Sequence, residues 1–321
     1  YGPVHVGRDI DGDGRGDVLV SSYAADLGIG PYTGIVRLYS GATGTLIRTW
    51  EGSLAMTYFG VTLSIGPDVD GDTVPDVVIG TNESSAGPVR PSWAHVYSGA
   101  SGTLVRSLRG DTTGNGYVTV AELGPDVDGD GRGDILVGSQ TADPGGRTDA
   151  GQGILYSGAT GTILHTWAGA APNDYLGTWG GIGGDVDGDG RPDVVLAAID
   201  AAGAAGARAG VVYLYSGATG ALIRTWEGSA AGQRLGYGCA SIGPDADADG
   251  RADVVVCSAM VGRVDLFSGA TGARLLFWTR TSGVEPFGND ASLGPDADGD
   301  GFADVVVGQY LANAAHLYSG R

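Results

Sequence analysis

The sequence predicts an all-β chain of the six-bladed β-propeller class. Three observations carry this expectation. An Asp-rich loop of nine residues recurs six times, and each recurrence sits among four short strand patterns. Gly occupies 61 of the 321 positions, which favours frequent turns over long helices.

The first Asp of each loop falls at Asp9, Asp68, Asp126, Asp185, Asp245 and Asp296, in steps of 59, 58, 59, 60 and 51 residues. Every unit follows one order. An aromatic-Gly pair such as Phe59-Gly60 opens strand A (Val61 to Ile65), and the acidic loop leads to a β-branched strand B (Val77-Val78-Ile79). A Gly-rich loop of variable length precedes strand C (Val211 to Tyr215). The turn Ser216-Gly217-Ala218-Thr219-Gly220 then leads to strand D (Ala221 to Trp226). That turn recurs at 40–44, 157–161 and 268–272, with Ser101 replacing Thr at 98–102, and its glycines suit a tight hairpin. The blades span approximately 1–58, 59–116, 117–174, 175–235, 236–286 and 287–321, as one propeller. A linear solenoid would carry polar caps at its ends, and none is visible. The last unit carries strand C but no strand D. Either that blade has three strands, or the parent chain is longer, or its free edge recruits a strand from a partner.

Carboxylates at loop positions 1, 3 and 5 converge where the chain curls around a hard cation, position 7 offers a carbonyl, and position 9 a further carboxylate. The expected ligand sets are Asp9, Asp11, Asp13, Arg15 and Asp17; Asp68, Asp70, Asp72, Val74 and Asp76; and Asp126, Asp128, Asp130, Arg132 and Asp134. Those of the later repeats are Asp185, Asp187, Asp189, Arg191 and Asp193; Asp245, Asp247, Asp249, Arg251 and Asp253; and Asp296, Asp298, Asp300, Phe302 and Asp304. Donors that are all oxygen favour Ca²⁺ over softer metals, so up to six ions are expected. One Asp-Gly loop is an ordinary solvated turn; six at one place in a repeat are not. No copy has the Glu at position 12 or the following helix of an EF-hand. Thr73 stands where a bend wants Gly, which marks the Asp68 site as strained or weak. Ala248 replaces the Gly at position 4 of the fifth loop.

The net charge of −19 comes from 37 Asp and Glu against 18 basic residues, all Arg. Such a chain is repelled by nucleic acid and anionic membranes, so neither is an expected partner. Six divalent ions would offset most of this charge. No apolar run is long enough to insert as a membrane-spanning helix, and the opening at Tyr1 without a leader pattern reads as a processed or trimmed form.

Together these residues resemble the FG-GAP repeats of the integrin α-subunit β-propeller. The resemblance rests on Phe59-Gly60 and Phe287-Gly288, the Asp-x-Asp-Gly-Asp-Gly-x-x-Asp loops, the strand Val305 to Gly308 and the strand Gly210 to Tyr215. It covers essentially the whole chain, though Val118 follows Tyr117 where Gly is expected. The resemblance implies Ca²⁺ in the A–B loops on one face and ligand binding by loops on the other. Family propellers usually have seven blades; six motifs are present here.

Arg15-Gly16-Asp17 and Arg132-Gly133-Asp134 spell an adhesion tripeptide, but each Asp is at loop position 9 and should point inward. Trp50, Trp167, Trp226 and Trp278 share a place in strand D and are expected between blades, while Trp93 and Trp179 break the pattern. His95 and His316 share a strand C position with Arg37, Ile154, Tyr213 and Asp265, which reads as variable and outward-facing. Cys239 and Cys257 flank the fifth loop, either as a cross-strand disulfide or as two buried thiols.

No nucleophile with its base and no phosphate loop is present, so the chain is read as a non-enzyme. The expected function is a secreted or cell-surface module, stabilised by calcium, that binds a protein or glycan. Its contacts would come from the B–C loops 22–33, 81–93, 139–152 and 198–209 and from the D–A loops. A polysaccharide lyase or hydrolase and a structural surface or fibre subunit are the alternatives.

Overall fold

The computed structural model describes residues 2–82, 92–111, 116–280, 287–309 and 314–320. Its class is the expected one, all-β and six-bladed, with one antiparallel sheet for each repeat. Short 3₁₀ turns at Pro144–Gly146 and Ala259–Val261 are the helical elements among the described residues. The chain forms two compact units, Tyr1–Ala168 and Gly169–Arg321, each with three blades.

In the first unit, blade 1 comprises β1 (Val4–Val6), β2 (Val18–Ser22), β3 (Ile35–Tyr39) and β4 (Leu46–Glu51). Blade 2 comprises β5 (Leu63–Ile65), β6 (Val77–Asn82), β7 (Ser92–Tyr97) and β8 (Leu104–Arg109). Blade 3 comprises β9 (Val118–Gly124), β10 (Asp134–Ser139), β11 (Gln152–Tyr156) and β12 (Ile163–Ala168). In the second unit, blade 4 comprises β13 (Leu176–Ile182), β14 (Val194–Ala198), β15 (Val211–Tyr215) and β16 (Leu222–Glu227). Blade 5 comprises β17 (Ala240–Ile242), β18 (Val254–Ser258), β19 (Arg263–Phe267) and β20 (Arg274–Thr279). Blade 6 comprises β21 (Phe287–Gly294), β22 (Asp304–Gln309) and β23 (Ala314–Ser319).

Each sheet is an antiparallel meander, so the acidic A–B loop and the C–D turn lie at one end of a blade. The B–C and D–A loops lie at the other. Strands C and D pair in one register throughout, with a bulge between Leu38 and Tyr39 that recurs at Val96/Tyr97, Leu155/Tyr156, Leu214/Tyr215 and Leu266/Phe267. Strand B is buried along its whole length in blades 2 to 5, where both faces of the sheet are covered. The core forms between consecutive sheets: Leu19 and Leu38 of blade 1 lie in one cluster with Leu63, Ile65, Val77 and Ile79 of blade 2.

Within each unit strand D fastens one blade to the next. The guanidinium of Arg48 donates to the carbonyls of Ser101 and Ala100 in the following C–D turn, and Trp50 Nε1 donates to Gly102 O. Arg224 and Trp226 repeat the arrangement on Thr271, Ala270 and Gly272. Trp50 packs on Tyr97, Trp226 on Phe267 and Trp278 on Tyr318, the inter-blade role expected of these tryptophans. Gly60, at φ 89°, lies against Ser21 and Val36 of blade 1, where a side chain would collide. In blade 3, where Val118 replaces that Gly, the buried Asn82 side chain accepts from Val118 N and donates to Val118 O.

Cys239 and Cys257 form a disulfide between strands A and B of blade 5, at the end of the pair away from the acidic loop, with Cα atoms 4.9 Å apart. The position shared by His95 and Asp265 is not simply outward-facing. Ile154 and Asp265 are buried there, because the position faces the groove beside the preceding blade's strand D, where Glu51 flanks His95 and Glu227 flanks Asp265.

Replacing Trp226 by Ala removes both the packing on Phe267 and the bond to Gly272. It should cost about 3–5 kcal/mol in urea unfolding, whereas Trp179→Ala, on a half-exposed ring, should cost well under about 1 kcal/mol. Equal effects would show that strand D does not join the blades.

Candidate metal centre

The acidic loops fold on their own carboxylates. In the first, Asp9 Oδ1 accepts the amides of Gly12 and Asp13, and Asp9 Oδ2 accepts that of Gly14. Asp11 Oδ1 accepts from Asp13 N, and Asp13 Oδ1 accepts from Arg15 N. These bonds wind the chain into a tight curl, which requires positive φ at loop positions 4 and 6. Gly fills both in four loops. Thr73 is held at φ 74° in the second and Ala248 at φ 63° in the fifth, so each carries backbone strain, more for the β-branched residue. The sequence flagged position 6; that position 4 has the same requirement becomes visible only in the fold.

Position 9 is the most constrained group. Asp134 is fully buried. Its Oδ2 accepts from Val127 N at 2.7 Å and Asp128 N at 3.2 Å, and its Oδ1 crosses to Gly158 N at 2.8 Å in the C–D turn. Asp17, Asp76 and Asp193 make the same three bonds, to Gly41, Gly99 and Gly217 respectively in the turn. Asp253 holds Ala246 and Gly269. Asp304 holds Ala297 and Asp298, and among the described residues its buried Oδ1 has no hydrogen-bond partner. The Asp of both Arg-Gly-Asp tripeptides is therefore buried and committed to amides, out of reach of a receptor.

A second bridge runs from the first Ser of each C–D turn to position 5. Ser40 donates to Asp13 Oδ2 at 2.8 Å and Ser319 to Asp300 Oδ2 at 2.7 Å, with longer contacts from Ser98, Ser157, Ser216 and Ser268 to Asp72, Asp130, Asp189 and Asp249. Sequence reasoning treated this turn as a hairpin alone. Its signal was there: the Ser-Gly pair recurs in register with the acidic loop in every repeat.

The expected ligands do converge. Carboxylate oxygens of Asp9, Asp11 and Asp13 lie within 4.8 Å of one another, as do those of Asp245, Asp247 and Asp249. In the middle loops the grouping is Asp68, Asp70 and Asp76; Asp126, Asp128 and Asp134; and Asp185, Asp187 and Asp193. At position 3 the Oδ1 of Asp11, Asp70, Asp128, Asp187, Asp247 and Asp298 accepts the position-5 amide, fewer backbone bonds than positions 1 and 9 take. The donors are all hard oxygens, and the set suits a hard divalent cation better than a thiolate- or imidazole-seeking metal. The side chains of Arg15, Val74, Arg132, Arg191, Arg251 and Phe302 belong to the residues expected to offer a carbonyl. Two of them act otherwise: Arg132 Nη1 lies 2.6 Å from Asp68 Oδ2, and Arg251 Nη1 lies 3.5 Å from Asp185 Oδ2, each on the preceding loop.

Burial pushes the carboxyl groups of Asp76, Asp134, Asp193 and Asp253 up to about 6, and the backbone amides only partly oppose it. Among the described residues none of these four carboxylates is in an ion pair. Exposed Asp13 is shifted the other way by the Ser40 hydroxyl, and Asp296 by the Gly301 amide.

No family model matches the chain. The raised carboxyls make a pH prediction for protein held in chelator. Between the unfolded value near 4 and about 6, the folded state binds more protons than the unfolded state. Stability from these groups is therefore greatest at the acid end and falls as pH rises through that window. The melting temperature in EDTA should be higher at pH 5 than at pH 7, with a smaller difference in Asp134→Asn. A melting temperature that rises from pH 5 to pH 7 would contradict this burial.

Proposed function

We propose that the chain is an extracellular binding module whose blades are rigidified by Ca²⁺ at the acidic loops. It would recognise a protein or glycan with the B–C and D–A loops at the opposite ends of the strands. The observation that carries the metal half is the convergence of three carboxylates within 4.8 Å in loop after loop. The disulfide supports an oxidising compartment, and sites of millimolar affinity fill where calcium is millimolar. Asp68 and Asp185 would be the weaker sites, since an Arg already neutralises part of each, and Thr73 adds strain to the former.

The ligand half rests on the loops that vary while the scaffold repeats. In the first unit, Tyr32 stacks on Tyr58 at 4.7 Å with Tyr23 beside them, and Tyr32, Met56 and Tyr58 all hold positive φ. In the second, a cavity of about 420 Å³ opens among Asn173, Asp174, Tyr175, Asp200 and Arg208. Buried Asp200 fixes its wall through ion pairs with Arg234 at 2.6 Å and Arg208 at 3.1 Å. Aromatic faces and fixed polar groups suit sugars and peptides alike, and strained loop backbone is common where a ligand is held. Of the 81–93 loop, residues 83–91 lie outside the described residues.

Each site filled at ten times its dissociation constant would add about 1.4 kcal/mol to the unfolding free energy. Calcium should therefore raise the melting temperature by several degrees over EDTA, and Asp128→Asn should shrink that gain while leaving the EDTA value in place. Asp134→Asn should lower stability in EDTA as well, by about 1–3 kcal/mol, because the side-chain NH2 replaces an oxygen that accepts backbone amides and leaves a buried donor unpaired. A melting temperature that ignores EDTA would refute the calcium reading. A glycan and protein screen checks the other half: a hit should weaken in Tyr32→Ala or Arg208→Ala with unchanged melting, and turnover of a polysaccharide would favour an enzyme instead.

A further inference from the structure

The side chain at loop position 7 acts on the acidic loop of the preceding blade. Arg132 belongs to the third loop, yet its Nη1 lies 2.6 Å from Asp68 Oδ2 in the second. Arg251 of the fifth loop reaches Asp185 Oδ2 of the fourth at 3.5 Å. One backbone bond places both. Gly133 N, at position 8, donates to Asp68 O at 3.1 Å, and Ala252 N donates to Asp185 O at the same distance. Each guanidinium then lies against the position-4 glycine of the preceding loop, Gly71 or Gly188, where a Cβ would collide with it. That glycine is therefore required by the neighbouring blade as well as by its own backbone conformation.

The other neighbouring loops within a unit differ at this position. Val74 and Phe302 are the position-7 residues of the second and sixth loops. The first and fifth loops, which precede them, receive no such charge: among the described residues neither Asp9 nor Asp245 is in an ion pair. The repeat thus presents the same acidic loop with and without a guanidinium. The pairs at Asp68 and Asp185 are partly exposed, and such pairs add little to stability. Their larger effect is on occupancy. Each guanidinium takes an oxygen of the position-1 carboxylate, a member of the converging set, and a second cation at that carboxylate meets strong repulsion.

We propose that the position-7 side chain sets the calcium affinity of the preceding blade's loop. Arg there is a tethered cation that Ca²⁺ must displace, and an apolar residue leaves the loop open. The inference rests on the calcium reading of these loops and adds which residue tunes which site. Loading of the second and fourth loops then releases Arg132 and Arg251, so these two contacts between blades exist only while calcium is scarce.

The amides of Gly71, Gly188 and Gly250 report the second, fourth and fifth loops in nuclear magnetic resonance spectra of the whole chain titrated with Ca²⁺. Arg132→Val should lower the calcium concentration at which Gly71 shifts by about tenfold or more, with Gly188 and Gly250 unmoved. Phe302→Arg should do the reverse to Gly250, raising its midpoint by a similar factor. A merely structural Arg132 would make Arg132→Val melt lower by the same amount with and without calcium. Here the loss is confined to EDTA, and the rise on adding calcium exceeds that of the parent chain. Arg132→Gln, which keeps a polar side chain without the charge, should follow Arg132→Val. The proposal is overturned if Gly71 titrates at the parent concentration in both Arg132 variants, or if Phe302→Arg leaves Gly250 unchanged. Either result, with calcium shifts still present, leaves the calcium reading standing. No shift at any of the three glycines in any of these proteins overturns both.

Discussion

A single buried carboxylate per blade holds the rest in place. The Asp at loop position 9 ties the acidic A–B loop to the C–D turn, so one side chain closes one end of the blade from both sides. Burying a carboxylate is costly without compensation, and three amide dipoles supply part of that compensation here. The remainder is visible in the carboxyls driven up to about 6. With this end fixed, strand D is presented to the following blade, where Arg48 and Trp50 or Arg224 and Trp226 grip the next turn.

The acidic loops face two demands at once. Amide donors occupy much of the carboxylate capacity at positions 1 and 9, while position 3 takes fewer backbone bonds. A cation would therefore complete a cage that the backbone has already shaped, and would draw the raised carboxyls back down. The six loops are not equivalent in this respect. Arg132 sits on Asp68, Arg251 approaches Asp185, and Thr73 and Ala248 bear left-handed backbone conformations.

Much of this was legible in the sequence, because a repeat reports each constraint several times. The four strands per unit, the curl of Asp at alternate positions and the tryptophans between blades all follow from periodicity and residue type. What stayed hidden depends on contacts between segments far apart in the chain. Nothing local says that Ser40 bonds to Asp13, that Asn82 stands in for a missing Gly beside Val118, or that Asp265 faces a groove rather than solvent. The two cysteines left a disulfide and a thiol pair equally open, since spacing alone does not give the approach of strands A and B. The second positive φ, at position 4, was masked because Gly filled it nearly everywhere.

We propose that the loops folded around carboxylates are also cation sites, one in each blade. Native mass spectrometry of the intact chain, titrated with Ca²⁺ after chelation, counts those ions directly. Several discrete additions are expected, with one fewer in Asp128→Asn and the last to fill lost in Asp70→Asn. A chain that takes up no calcium, or the same number of ions in every loop variant, would show that the Asp-rich loops are held by backbone amides alone.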